Sequence, residues 1–284
     1  MIVTISNLNL KAEINTFGAE LVSLQKVETN EEFIWEGNPE FWGKHSPVLF
    51  PIVGTLKNNS FLHNNELYNL SRHGFAREQD FQIKSQSEQS ITFSLLSNEA
   101  TKLVYPFDFE LLINYHLVDF LLKITYTVKN IGKEMLPFSI GGHPAFSLKE
   151  DFTKYSLKFE TSENLKSYRL IDELVSNRFD EIQLKEKNLP LSYSLFENDA
   201  LIIKEMQSKS ITILKGNIPI LKFDFVDFPN FGIWTKVGAP FICLEPWVGY
   251  SDTIENSGNI IEKEGIKLLE RNSEKKYTFS ISIL

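Results

Sequence analysis

The sequence is most informative first in what it lacks. Cys243 is the only cysteine in 284 residues. No intrachain disulfide can form, and a zinc site built on several cysteines is excluded. No uninterrupted apolar run approaches the length needed to span a bilayer. The N-terminus, Met1-Ile2-Val3-Thr4-Ile5-Ser6, lacks a basic region followed by a long apolar segment, and reads as a first strand, not a signal peptide. Dense Lys/Arg blocks are absent and net charge is −8. Nucleic acid is therefore not an expected partner, and a strongly anionic ligand would need a local basic pocket. The reading these absences bound is a soluble, cytoplasmic protein with no membrane partner.

Long helical patterns are also missing. Only Asn38–Lys44 and Tyr193–Glu197 have helical spacing, each long enough for one turn. What recurs instead is period-two alternation. In Leu121–Asn130, Leu122, Ile124, Tyr126 and Val128 share one face, while Lys123, Thr125, Thr127 and Lys129 share the other. That is a half-buried antiparallel strand, with a turn at Asn130-Ile131-Gly132-Lys133. Ile91–Leu96, Phe109–Leu117, Ser210–Leu214, Ile220–Val226 and Tyr277–Leu284 repeat the pattern, and Pro47–Gly54 reads as an apolar strand ending at glycine. Residues 149–190, charged and weakly patterned, read as strand, long loop and strand. With 42% hydrophobic residues and no linker, repeat or composition break, the chain is expected to form one all-β domain over 1–284, a sandwich or barrel.

The chemistry-bearing residues fall into clusters. In Gly141-Gly142-His143-Pro144, two glycines remove side-chain bulk and a proline stiffens the chain, so the imidazole of His143 is held on narrow main chain with space beside it. In Ser71-Arg72-His73-Gly74-Phe75-Ala76-Arg77, two arginines flank a histidine. The cluster is either a solvated turn paired to acids such as Glu78 and Asp80, or a neutral imidazole whose pKa Arg72 and Arg77 depress. Glu245 ends the strand Phe241–Glu245, apolar on both faces, so its carboxyl meets low dielectric. Burial makes it either a general base or half of a structural ion pair. Asp199 lies where a polar turn enters an apolar strand and is either a turn cap or a ligand-binding carboxylate. Trp35, in Asn30–Gly43 beside Trp42, either packs in the core or stacks on a sugar face. Asp224 shares a strand phase with Lys222 and is expected to face solvent, His63 to be exposed and inert, and His116 to be a hydrogen-bonded structural histidine.

Arg72-His73-Gly74-Phe75-Ala76-Arg77, Gly141-Gly142-His143-Pro144-Ala145-Phe146 and Ile242-Cys243-Leu244-Glu245-Pro246-Trp247, in that order, resemble the aldose 1-epimerase (galactose mutarotase) superfamily, and within it the LacX-like branch. The resemblance covers essentially the whole chain, from Phe17-Gly18-Ala19-Glu20-Leu21 to the final strands. It implies a large antiparallel β-sandwich with a sugar cleft on its concave face. It also implies that His143 is the general acid, Glu245 the general base, and His73 a second active-site histidine. Asp199, Arg77 and Arg72 would then bind sugar hydroxyls. The expected reaction exchanges the anomers of an aldohexose by acid/base ring opening, in a monomer or homodimer, with no metal or organic cofactor. One departure stands out: the turn Gly54-Thr55-Leu56-Lys57-Asn58 has no arginine where the mutarotases carry one, leaving Arg77 or Lys57 to substitute. Three rivals follow: a sugar-binding sensor without turnover, a hexose-6-phosphate 1-epimerase, and a metal triad of His73, His143 and Glu245.

Overall fold

The computed structural model describes all 284 residues, and strands dominate it. A nine-stranded antiparallel sheet runs in the order Asn188–Pro190, Tyr155–Phe159, Ser210–Lys215, Ile218–Asp224, Glu274–Ile283, Leu121–Asn130, Phe109–Val118, Ser90–Leu96, Gln82–Gln86. Facing it is a sheet in the order Leu174–Gln183, Asn164–Ile171, Leu201–Ile203, Asn230–Trp234, Phe241–Val248, Ile140–Gly142, Val48–Leu49, with Ala145–Ser147 also paired to Phe241–Val248. A four-stranded sheet over residues 2–32 and two hairpins complete the sandwich.

The alternation explains the layers. Leu122, Ile124, Tyr126 and Val128 are buried, and in register they lie opposite Ile281, Phe279, Tyr277 and Lys275. The second sheet sends in Ile242, Leu244, Val248, Phe231 and Ile233 from its inner face. Phe223 bridges the layers, its ring 5.8 Å from that of Phe146 and 6.1 Å from that of Phe231. One cluster of 65 buried apolar residues runs from Val3 to Ile283. Large apolar side chains of this kind each contribute roughly 1.5–3 kcal/mol when fully buried.

Several local expectations change. Pro47–Gly54 pairs as a strand only at Val48–Leu49, because Pro47 and Pro51 cannot donate to a ladder. Residues 149–190 contain Tyr155–Phe159, the hairpin Asn164–Ile171/Leu174–Gln183 and Asn188–Pro190 in place of a long loop. A run of exposed residues on the hairpin's outer strand, Asn177, Arg178, Asp180 and Glu181 among them, hid its periodicity. Tyr193–Phe196 is a 3-10 turn, and Asn38–Lys44 closes the single turn expected of it, with Phe41 N–H and Trp42 N–H donating to Asn38 O. The one α-helix is Glu99–Val104, started by a reciprocal cap in which Asn98 accepts from the Thr101 N–H and Thr101 accepts from the Asn98 N–H. His116 is exposed, since it alternates with the buried Tyr115 and Leu117. His63 is only partly exposed, packed on Phe107 and paired to Glu134 at 3.2 Å. Asp224 does lie on the outer face, paired with Lys222. No helix is long and apolar enough to cross a membrane.

Candidate active site

The strand Phe241–Val248 is buried along its whole length. Its inner face carries Ile242, Leu244 and Val248, and the other carries Phe241, Cys243, Glu245 and Trp247. Glu245 and Trp247 from that second face line a cleft of about 700 Å³, within the range of small-molecule sites, while Phe241 and Cys243 pack behind it. His143, His73, Arg72, Arg77, Asp199, Trp42, Trp234, Lys236, Trp247 and Ser251 line it together with Glu245.

The two adjacent glycines serve packing on opposite faces. A Cβ at Gly141 would lie 2.7 Å from the Trp247 ring, and one at Gly142 would lie 3.1 Å from Phe279 and from the Tyr126 hydroxyl. Gly232, opposite Glu245 on the next strand, leaves the same room from the other side: a Cβ there would come within 2.4 Å of the indole. The space beside His143 is therefore taken by aromatic walls. Trp42 stacks on the imidazole with centroids 4.7 Å apart, and Trp234 meets its edge at 5.8 Å. The backbone is pinned as well, since the His143 N–H donates to Pro47 O and Leu244 N–H to Pro144 O.

His143 Nε2 lies 3.3 Å from Glu245 Oε2. The two groups sit side by side, not across the cleft from each other. Burial pushes the Glu245 carboxyl well above its usual range, with Asp199 adding to the rise and Arg72 opposing it. Burial also pulls the His143 imidazole down to about 3, and Arg72 and Arg77 act in the same direction. Both shifts disfavour charge, so the surroundings favour the neutral form of each group. A proton held there belongs to the pair, whose Nε2 and Oε2 atoms are 3.3 Å apart.

His73 has φ +67°, a left-handed conformation rarely held by a non-glycine residue. It is fixed by main-chain bonds, from its N–H to Gly54 O and from Phe50 N–H to its carbonyl. Gly54 N–H donates to Nδ1 at 3.1 Å, and Arg72 Nε stands 3.3 Å from Nε2. Donors facing both ring nitrogens exclude the imidazolium. Its pKa is lowered by burial first, then by His143, Arg72 and Arg77. Because the Gly54 amide is fixed while Arg72 can turn, we place the ring hydrogen on Nε2, on the cleft side.

Arg72 pairs with Glu173 at 3.3 Å, while Arg77 Nη2 donates to Arg72 O and its Nε is buried without a partner. Lys57 does not replace the missing arginine: its Nζ donates to Ile254 O and Asn256 O, outside the cleft. Asp199, at φ 87°, accepts from its neighbour Ala200 N–H and lines the cleft. Trp35 is 2% exposed and stacks behind the wall on Phe241, donating from Nε1 to Trp42 O. It supports Trp42 and does not reach the cleft. The aromatic rim comes from Trp42, Trp234 and Trp247. Trp247 was detectable, two positions past Glu245 in the same phase, whereas nothing in Asn30–Gly43 distinguishes Trp42 from Trp35. Arg77 Nε, His143 Nδ1, Glu245 Oε2 and Trp247 Nε1 are all buried without hydrogen-bond partners. Orphaned polar atoms at this density suit a ligand bearing several hydroxyls.

Over residues 1–266 the sequence matches the family described as aldose 1-epimerase. The chain belongs to the aldose 1-epimerase family. That family is one of isomerases. Two LacX proteins of Lactococcus lactis subsp. lactis, one plasmid-borne and one chromosomal, are each 34% identical over 308 aligned residues, covering all of both chains. A galactose mutarotase related enzyme from Lactobacillus acidophilus superposes with TM-score 0.94 at 34% identity, covering 100% of this chain and 97% of that one. A galactose mutarotase-like protein from Lactobacillus casei gives 0.92 at 30%, covering both chains in full. These relatives place the chain in the LacX-like branch of the aldose 1-epimerases and confirm the mutarotase-like sandwich.

Proposed function

We propose that this aldose 1-epimerase family member interconverts the α and β anomers of a neutral aldohexose such as galactose or glucose. The observation that carries this reading is the His143–Glu245 pair, 3.3 Å apart in the floor of the cleft. Mutarotation removes a proton from the anomeric hydroxyl and delivers one to the ring oxygen. Those two oxygens are bonded to the same carbon, so the acid and the base belong side by side. Passing the shared proton from Glu245 to His143 leaves a carboxylate to take the hydroxyl proton and an imidazolium to protonate the ring oxygen. The ring opens, the carbonyl turns half a revolution, and the steps reverse with the roles exchanged. Each positioned group is expected to contribute about 100- to 10,000-fold.

His73 would donate from Nε2 to a sugar oxygen, while Asp199, Arg72 and Arg77 would fix hydroxyls. The sugar's less polar face would lie on Trp42, Trp234 or Trp247. A neutral substrate is favoured because acids offset the charge of both cleft arginines, Glu173 at 3.3 Å from Arg72 and Glu78 at 3.8 Å from Arg77. No step calls for a metal or an organic cofactor.

Optical rotation of freshly dissolved α-galactose and α-glucose tests the reading. Wild type is expected to speed the change well beyond buffer, and Glu245→Gln and His143→Asn to lose most of that gain. Sugar binding by calorimetry without any acceleration would instead favour a sensor. A strong preference for glucose 6-phosphate would overturn the neutral-sugar assignment.

A further inference from the structure

We propose that His143, Cys243 and Glu245 form a binding site for a thiophilic divalent cation, best fitted by Zn²⁺, which occupies the cleft floor as an inhibitor. Strand alternation sets Cys243 and Glu245 two positions apart on one face, and the pairing of Ala145 with Cys243 brings the preceding His143 against them. One potential ligand atom from each residue lies within 4.8 Å of the other two, and all three residues are buried. The 3.3 Å between His143 Nε2 and Glu245 Oε2 matches the edge of a tetrahedron whose centre is about 2.0–2.1 Å from each ligand. That pair needs almost no movement. The Cys243 sulfur has to close by roughly 1 Å to complete the face.

Glu245 is 2% exposed and its Oε2 makes no hydrogen bond, so that oxygen is free to act as a ligand once deprotonated. Thiolate, imidazole and carboxylate together select zinc over magnesium or calcium. Three protein ligands leave the fourth position for water or an added ligand. Coordination releases the thiol proton and the proton shared by His143 and Glu245 to solvent. His143 Nδ1 has no acceptor behind it, and such missing support typically weakens a site by about 10- to 100-fold. Micromolar rather than nanomolar zinc affinity is therefore expected. This site differs from the triad suggested by sequence, because Cys243 takes the place of His73.

Metal binding rests on the geometry alone, whereas inhibition rests on the proposed activity. The test uses full-length protein stripped with chelator and then dialysed against zinc or cobalt alone. One zinc per chain is expected by elemental analysis, together with a near-ultraviolet thiolate-to-cobalt band. Cys243→Ser should abolish the band and weaken zinc binding at least about tenfold. In polarimetry, zinc should stop the wild type reversibly, and Cys243→Ser should keep its basal rate and resist. Wild type that binds no zinc at sub-millimolar free metal, or shows no cobalt band, overturns the site. So does Cys243→Ser binding zinc as tightly as wild type. If no sugar is turned over, the activity assignment fails while dialysis and the cobalt spectrum still decide the metal site. If Cys243→Ser does not fold, the wild-type spectrum and Cys243→Ala decide it.

Discussion

The imidazole of His143 lies on the indole of Trp42, ring centroids 4.7 Å apart and planes 27° from parallel. Trp42 thereby shields one face of the proposed acid from water and sets its orientation toward Glu245. Trp42→Ala is expected to lower kcat/KM about 10- to 100-fold, the scale on which small misplacement of a reacting group is felt. Its effect on stability should be modest, because the side chain is only partly buried. Trp35→Ala should do the reverse first, costing about 3–5 kcal/mol of stability as a cavity opens behind Phe241. Urea denaturation and polarimetry on both variants check the contrast.

Because His143 and Glu245 hold one proton between them, they are expected to act as a unit. Each single substitution, Glu245→Gln or His143→Asn, should remove most of the rate. The double variant should then be scarcely worse than either, as happens with residues of one catalytic set. Additive losses in kcat would mean that the two groups work independently, contrary to the shared-proton reading. Circular dichroism on the same samples would confirm that each variant folds.

Gly232 sets a third outcome. The indole of Trp247 occupies the volume that a side chain at Gly232 would need, with a Cβ only 2.4 Å from the ring. Gly232→Ala must displace the indole or the strand, at a cost of about 1–3 kcal/mol for overpacking. Trp247 Nε1 then moves relative to Glu245, so a rise in KM should accompany the drop in unfolding midpoint. An unchanged KM and tryptophan emission would show that the indole's position is not set by this glycine.

These contrasts also mark what residue order reveals. Leu121–Asn130 was legible but for Thr127, which is buried although it shares the outer face with Lys123, Thr125 and Lys129, because one face is packed in the sandwich core and the other is mostly not. The same logic put Glu245 inside, since its strand is apolar on both faces. Position within a loop was not legible. Trp35 and Trp42 look alike in sequence, and only the bond from Trp35 Nε1 to Trp42 O shows which one backs the other. Gly141 and Gly142 announced a close approach without saying to what. Lys263 gave no signal at all: between Glu262 and Glu264 it reads as solvated, yet its side chain is 1% exposed.

The buried histidine pair has a consequence for stability against pH. His73 is held neutral in the fold by burial, then by the charges of His143, Arg72 and Arg77, so its folded pKa lies below the usual value. Between the unfolded value of about 6.5 and that lower folded value, the unfolded chain binds the extra proton. The contribution is therefore intact above about pH 6.5 and is lost as pH falls toward the folded pKa. Wild type should show a lower unfolding midpoint near pH 5.5 than at neutral pH. His73→Asn, which has no proton to bind there, should show a smaller drop. Equal drops in the two proteins would assign the pH dependence to other groups.

Behind the cleft, Lys263 and Asp252 form an ion pair at 3.0 Å with both side chains 1% exposed. Lys263 Nζ also donates to Tyr250 O, and Asp252 Oδ2 accepts from Lys57 N–H. Asp252 N–H donates to Thr55 O, and Thr55 N–H to Ser251 Oγ, so the pair ties the 54–57 turn to the 250–252 loop. That turn carries the Gly54 amide that fixes the His73 ring. Lys263→Met leaves Asp252 buried and uncompensated, and should cost about 3–5 kcal/mol. Adding Asp252→Asn removes the stranded charge and should recover part of the loss. Catalysis should not recover in step, since the double variant still lacks the Lys263 bond to Tyr250 O that holds the 250–252 loop. Denaturation midpoints and kcat/KM for the single and double variants separate a merely stabilising pair from one that also positions His73. Full recovery of both quantities together would show that the pair serves stability alone.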